Sequence, residues 1–171
     1  PVPEEDAASM ARAFELNFMS AFLLIHHGLP LMKRDGAIVC ISTGAVGQAN
    51  RGLSAYAASK AALERYVRGA AFELGGAGIR INAVRPGATL APDVVEARGL
   101  AGMAALYAAE TPLGRLGEPI DVARVVRFLA GPESGWVTGE TISADGGMQQ
   151  GKAPDLMSAL ASLRQSSADV L

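Results

Sequence analysis

The run "AIVCIS" at residues 37–42 constrains this chain more than any other feature. A strand with one wet face alternates apolar and polar residues, whereas this run is apolar without a break and rich in branched side chains. It therefore reads as a strand buried on both faces, which needs helices above and below. The segments around it supply the helices.

From about residue 7 to 32, Met10, Phe14, Phe18, Ala21, Phe22 and Ile25 recur at three- and four-residue spacing, the mark of an amphipathic helix. Pro3 with Glu4, Glu5 and Asp6 opens it, since acids suit the positive end of a helix dipole. A second helix is expected over 54–74, followed by a Gly-rich stop, a short strand and a Pro-Gly turn in "GGAGIRINAVRPG". Residues 88–117 are Ala-, Gly- and Met-rich and weakly periodic, and read as a loop or short helices. "GEPIDVARVVRFLAG" restarts a helix, with Pro119 in its first turn and Gly131 past its end, and "VTGETISADGG" gives a third strand. The tail from Lys152 holds at most one short helix around "LMSALASL". Strands alternating with helices predict an α/β fold with parallel strands joined by right-handed crossovers.

The chain has 171 residues, enough for one packed core and too few for two comfortable domains. A net charge of −2 with scattered Lys and Arg leaves no basic stripe, so nucleic acid is not an expected partner. The single cysteine, Cys40, excludes an intramolecular disulfide and reads as a small buried strand residue, in keeping with a cytoplasmic protein. The longest apolar stretch is interrupted by His26, His27, Gly28 and Pro30, from which no membrane span is expected. No signal peptide is recognisable. The first residue is Pro1, not Met, so the chain reads as processed or as a piece of something longer.

In open α/β sheets ligands sit beyond the carboxyl ends of the strands. After the first strand comes "STGAVGQANRGLSAYAASK", in which Tyr56 and Lys60 are four apart and share a helix face. A tyrosine ordinarily holds its proton to a pH of about 10, and a nearby ammonium favours the phenolate, so such a pair suits acid–base work. A hydroxyl from Ser42 or Thr43 at the strand end is placed to bind a substrate oxygen. By itself the spacing is common on solvated helix faces. Adjacent His26 and His27 point about 100° apart on a helix and do not converge on one ion, so no metal site is expected. Trp136 is expected to pack beside the last strand.

Taken in order, "GAIVCIST", "YAASKAALE", "IRINAVRPGAT", "PLGRLGEPIDVARVVRFLAG" and "WVTGETISADGG" resemble the C-terminal two-thirds of a short-chain dehydrogenase/reductase, most closely the 3-oxoacyl-(acyl-carrier-protein) reductase-like members. The resemblance implies the C-terminal part of a Rossmann-like doubly wound parallel sheet over residues 1–148, with 149–171 as a tail. It implies an NAD- or NADP-dependent oxidoreductase interconverting a ketone and a secondary alcohol. Tyr56 would be the general acid/base, Lys60 would favour its phenolate and bond the nicotinamide ribose, and Asn17 would anchor a water relay to the lysine. The family serine stands 13 residues before the tyrosine, which falls on Thr43, with Ser42 as the rival. Pro86 and Gly87 would run along the nicotinamide, Gly87 permitting close approach, and Thr89 would bond its carboxamide or a phosphate. A threonine frequent in relatives is Ala91 here. Relatives commonly form tetramers or dimers through the two long helices and the last strand.

The glycine-rich dinucleotide fingerprint is missing from this sequence, the glycines at 75, 76 and 78 preceding a strand instead of following one. Without that half, the first strand would expose an unpaired apolar edge. Two other readings stay open: a non-catalytic oligomerisation partner, and an epimerase or dehydratase of the extended branch.

Overall fold

The computed structural model describes Val2 and residues 5–151. The expected tail helix, and Pro3 and Glu4 of the helix-opening signal, lie outside the described residues.

A helical rod runs over Ala7–Leu31. It consists of α1 (Ala7–Phe14), a π turn (Glu15–Met19), α2 (Ser20–Gly28) and a closing 3-10 turn (Leu29–Leu31). Asp6 caps it, accepting from the Ser9 N–H at 2.7 Å while the Asp6 N–H donates to the Ser9 hydroxyl, a reciprocal box that satisfies two orphan donors. His26, His27 and Gly28 sit within α2, and Pro30 falls in the 3-10 turn, so they do not interrupt the rod. By length and composition it is therefore long and apolar enough to cross a membrane, contrary to expectation. One flank accounts for part of that apolarity: Phe18 and Phe22 meet Tyr66 edge-on, with ring centroids 5.9 and 5.8 Å apart.

The turn before the first strand places Asp35 in the left-handed region, at φ 64°, a conformation Asp tolerates. Strand β1 (Ala37–Ile41) pairs in parallel with β2 (Arg80–Pro86), and β2 with β3 (Thr141–Ala144), giving the order β1-β2-β3. Between β1 and β2 lies α3 (Ser54–Leu74), whose inner stripe of Ala55, Ser59, Leu63, Val67, Ala70 and Ala71 is buried. Ser59 survives there because its hydroxyl donates back to the Tyr56 carbonyl at 2.7 Å. Leu63, Val67, Ala70 and Ala71 of this stripe join Ile25, Cys40, Ile81 and Ala83 in the core on one face of the sheet.

The weakly periodic stretch after β2 resolves into two short helices, α4 (Pro92–Ala97) and α5 (Ala101–Glu110). Helix α6 (Pro119–Ala130) then starts with Pro119 in its first turn and is capped by Gly131, as the sequence predicts. It covers the opposite face of the sheet, and its Leu129 is fully buried. Layers of helix on both faces of a parallel sheet are the doubly wound α/β arrangement.

Two expectations need correction. Strand β1 is not buried throughout: within the described sheet it has β2 alone as neighbour, the unpaired edge the sequence also implied, so most of its residues are only half-buried and Ile41 is exposed. Trp136 does not pack beside β3: it is fully exposed, because the turn before β3 directs it away from the sheet.

Candidate active site

The site is assembled at the carboxyl ends of β1 and β2 by three tight turns and one helix face. Tyr56 lies in the first turn of α3 and Lys60 one turn on, both half-buried. The Tyr56 hydroxyl makes no hydrogen bond with any described residue. The Lys60 ammonium donates to the carbonyl oxygen of Ile41 at 2.8 Å, fastening the face that carries the pair to the end of β1. Burial of this ammonium lowers the Lys60 pKa, partly opposed by the nearby Cys40. Burial also pushes the Cys40 thiol up to about 11, with Lys60 pulling the other way.

Ser42 and Thr43 differ sharply. Ser42 is buried, its N–H still in the ladder to the Val84 carbonyl at 2.7 Å and its hydroxyl donated to Glu64 Oε1 at 2.5 Å. That proton is committed. Thr43 caps the 3-10 turn Gly44–Val46, and its Oγ1 accepts from the Ala45 N–H at 3.3 Å, which uses a lone pair and leaves the hydroxyl proton available.

Asn17 sits inside the π turn and donates from Nδ2 to the Ala13 carbonyl at 3.0 Å. A π turn breaks the regular i to i−4 ladder, a departure often found at functional positions. Asn17 and Lys60 line the same groove, of about 280 Å³, between the helical rod and the open edge of β1.

The Pro86–Gly87 turn closes the opposite side. A Cβ on Gly87 would fall 2.8 Å from the Cα of Asp145, so the glycine is required by the turn after β3. A Cβ on Gly44 would come within 3.2 Å of the Pro86 carbonyl oxygen, so the turns of β1 and β2 are stacked in contact. Thr89 donates its hydroxyl to the Gly87 carbonyl at 3.0 Å, which turns it inward. It borders a cavity of about 490 Å³ with Thr111, Leu113, Arg115 and Asp145 that Tyr56, Thr43 and Lys60 do not line.

The structure thus brings Thr43, Tyr56, Lys60 and Asn17 to one end of β1, and places Pro86 and Gly87 beside them. Thr89 is set apart. Sequence reasoning missed Glu64 and Arg85, which form a bidentate ion pair among these turns. The available signal was an acid four residues after Lys60, on the inner side of a helix whose neighbouring positions are apolar. Among the described residues, no three His, Cys, Asp or Glu side chains converge as a metal site.

Residues 1–149 match the family model described as enoyl-(acyl carrier protein) reductase. The chain is 37% identical over 142 residues to the 7alpha-hydroxysteroid dehydrogenase of Escherichia coli (strain K12), covering 82% of this chain and 55% of that protein. It is 39% identical to the 3-oxoacyl-(acyl-carrier-protein) reductase of Thermotoga maritima, over 78% of this chain and 54% of that one. A short-chain type dehydrogenase/reductase from Mycobacterium ulcerans superposes with a TM-score of 0.84 at 33% identity, covering 94% of this chain and 59% of the other. Further solved neighbours were determined with NADP or NADPH bound. The chain belongs to the short-chain dehydrogenase/reductase family, among members similar to the 3-oxoacyl carrier-protein reductases. It spans a little over half the length of these relatives.

Proposed function

We propose that residues 1–148 are the C-terminal, catalytic part of a single-domain NAD(P)-dependent oxidoreductase interconverting a ketone and a secondary alcohol. The observation that carries the reading is the bond from Lys60 Nζ to the Ile41 carbonyl. It sets the Tyr56–Lys60 face against the strand end whose next free hydroxyl is Thr43.

A bound nicotinamide dinucleotide supplies or accepts the hydride. In reduction, Tyr56 donates its phenolic proton to the carbonyl oxygen while the Thr43 hydroxyl donates a second hydrogen bond to it. In oxidation the tyrosine takes the alcohol proton. The ammonium of Lys60 bonds the ribose hydroxyls, and its half-buried position strengthens that interaction by excluding water. Asn17, at the π turn, anchors a water relay that returns a proton to Lys60. Pro86 and Gly87 present their backbone to the nicotinamide ring. These residues fit such a cofactor. Thr89 donates its proton to the Gly87 carbonyl, which leaves its oxygen free to accept from a carboxamide N–H, whereas a bond to a phosphate would need the hydroxyl to turn.

The substrate is a small molecule with an apolar ketone or acyl-chain carbonyl, and the protein is a soluble cytoplasmic homo-oligomer, a dimer or tetramer. Phe72 and Trp136, 92% and 101% exposed, stand on α3 and before β3, two of the elements through which relatives assemble.

Replacing Tyr56 by Phe in the full natural protein tests the chemistry. Turnover is expected to fall by about 100-fold or more, with an unchanged melting temperature. Full activity in that variant would remove the mechanism.

A second reading, a non-catalytic assembly partner, is favoured by the open edge of β1 and by Leu24 and Leu31, which are 77% and 85% exposed. Titration with NADPH separates the two. Saturable binding supports the enzyme, and its absence supports the partner.

A further inference from the structure

We propose that Glu64 and Arg85 are a positioning pair that fixes the Thr43 hydroxyl relative to Tyr56, an inference that rests on the oxidoreductase reading above. Glu64 accepts from the Ser42 hydroxyl at 2.5 Å and from Arg85 Nε at 2.7 Å on Oε1, and from Arg85 Nη2 at 2.5 Å on Oε2. Its side chain is 9% exposed and that of Arg85 25%.

A largely buried ion pair is weak evidence for stability, because desolvating two charges offsets most of their attraction and an apolar pair of similar volume often serves as well. What a bidentate Arg–carboxylate pair supplies is geometry. Here that geometry connects three segments. Tyr56, Lys60 and Glu64 are spaced by four along one stripe of α3. Lys60 holds the carbonyl of Ile41 and Glu64 holds the hydroxyl of Ser42, so two successive helix turns grip two successive residues of the strand end. The next residue is Thr43. Arg85 in turn immediately precedes Pro86 and Gly87, and the Pro86 carbonyl lies against Gly44, the residue after Thr43.

Arg85 also reaches beyond the pair. Its Nη1 donates to Gln149 Oε1 at 3.3 Å, and Gln149 Nε2 donates to Ser143 Oγ at 2.7 Å and Asp145 Oδ2 at 2.9 Å. The turn after β3 is thereby tied to the same carboxylate. Loss of the pair frees the Ser42–Thr43–Gly44 turn to rotate without unfolding the core beneath it. A misplacement of about 1 Å in a reacting group is enough to cost roughly 100-fold in rate.

The test uses the full natural protein, NADPH and a panel of apolar ketones that includes a 3-oxoacyl thioester. The double variant Glu64→Leu with Arg85→Met removes both charges together, so neither is left buried alone. It is expected to melt within a few degrees of the parent, with kcat lowered about tenfold or more and KM for NADPH within about twofold. The deuterium isotope effect from 4-deuterated NADPH should rise as hydride transfer becomes rate-limiting. A purely structural role would leave kcat per folded enzyme and the isotope effect unchanged, and that result overturns the proposal.

If the double variant does not fold, Ser42→Ala decides. It cuts only the link from strand to carboxylate, and is expected to lower kcat about threefold or more and raise the isotope effect; parental values for both overturn the proposal. Tyr56→Phe is run beside them. Full turnover there defeats the oxidoreductase reading itself, whereas an inactive Tyr56→Phe with parental pair variants defeats only the positioning role.

Discussion

The two sides of the three-stranded sheet are built on opposite terms. Beside β2 and β3, side chains stitch strand to loop. Arg80 donates to the Leu129 and Gly131 carbonyls at 2.8 and 3.0 Å and to Ser134 Oγ at 2.7 Å. Asn82, fully buried, donates to the Val137 carbonyl at 2.9 Å and accepts from the Glu140 N–H at 3.0 Å. Beside β1 such bonds are confined to its carboxyl end, where Lys60 and Glu64 hold Ile41 and Ser42, while the far edge of the strand is unpaired within the described sheet and opens on a groove lined by Leu16 and Leu24. The β2–β3 side is finished by its own side chains, although β3, like β1, has a single strand neighbour within the described sheet. The other is apolar and open, so its energetics depend on what lies against it.

The sharpest way to break this comparison is at Asn82. Asn82→Leu takes the partner from the half-buried Val137 carbonyl and from the Glu140 N–H at one of the chain's fully buried side chains, each lost bond costing about 1–3 kcal/mol. A loss of about 3 kcal/mol or more is expected in urea denaturation, the largest of the changes considered. A loss below about 1 kcal/mol would mean that water enters the β2–β3 side and that it is no more finished than the other.

Next in size is a matched pair of apolar changes. Ile81 on β2 is fully buried, and Ile81→Ala should cost about 2–5 kcal/mol. Leu24 on α2 is 77% exposed, and Leu24→Lys should change the stability of this 171-residue chain by less than about 0.5 kcal/mol. The same Leu24→Lys change made in the full natural protein sharpens the contrast. A large loss there shows that the groove is occupied in that protein, and a negligible one that it stays wet.

Much of this was legible in the sequence, for reasons that differ by element. The alternation of "AIVCIS" with amphipathic segments fixes parallel strands and crossover helices, and both boundaries of α6 follow from Pro119 and Gly131, because backbone chemistry is local. Tyr56 and Lys60 were legible as a pair because helical spacing is local too. The different bonding of Ser42 and Thr43 was not, since it turns on Glu64, 22 residues beyond Ser42. Gly87 shows the same limit. Besides the room for a ligand that the resemblance implies, its missing Cβ clears Asp145, far along the chain, which no local pattern reveals. Trp136 misled because a tryptophan beside a strand suggests packing, whereas a turn can equally direct it outward.

A smaller effect separates the two faces of β1. Cys40 points into the core with α3, and its thiol is pushed up to about 11 by burial. At pH 7.5 it is therefore protonated and sheltered, and iodoacetamide should modify it at least about tenfold more slowly in the folded chain than in urea. Rapid labelling of the folded chain would show that the open edge beside it admits solvent to the core, erasing the distinction between the buried face of β1 and its bare edge.

The smallest expected effect lies on the finished side, where even its surface pair contributes little. Arg115 donates to Asp121 at 2.7 and 3.1 Å, and Asp121 also accepts from the Glu118 N–H at the start of α6. These bonds, that from Arg115 first, hold the Asp121 carboxyl down at about 2. A depressed carboxylate stabilises the fold above its unfolded value of about 3.9, and that contribution is lost as pH falls through the folded value. Melting temperatures of the parent chain and of Asp121→Asn should therefore differ slightly but constantly from pH 5 to 7 and converge as pH approaches 2. Because the pair is exposed to solvent and ions, raising salt should shrink the gap at pH 7. A gap that persists at pH 2 would assign the effect of Asp121 to helix capping through its neutral hydrogen bonds instead of to its charge.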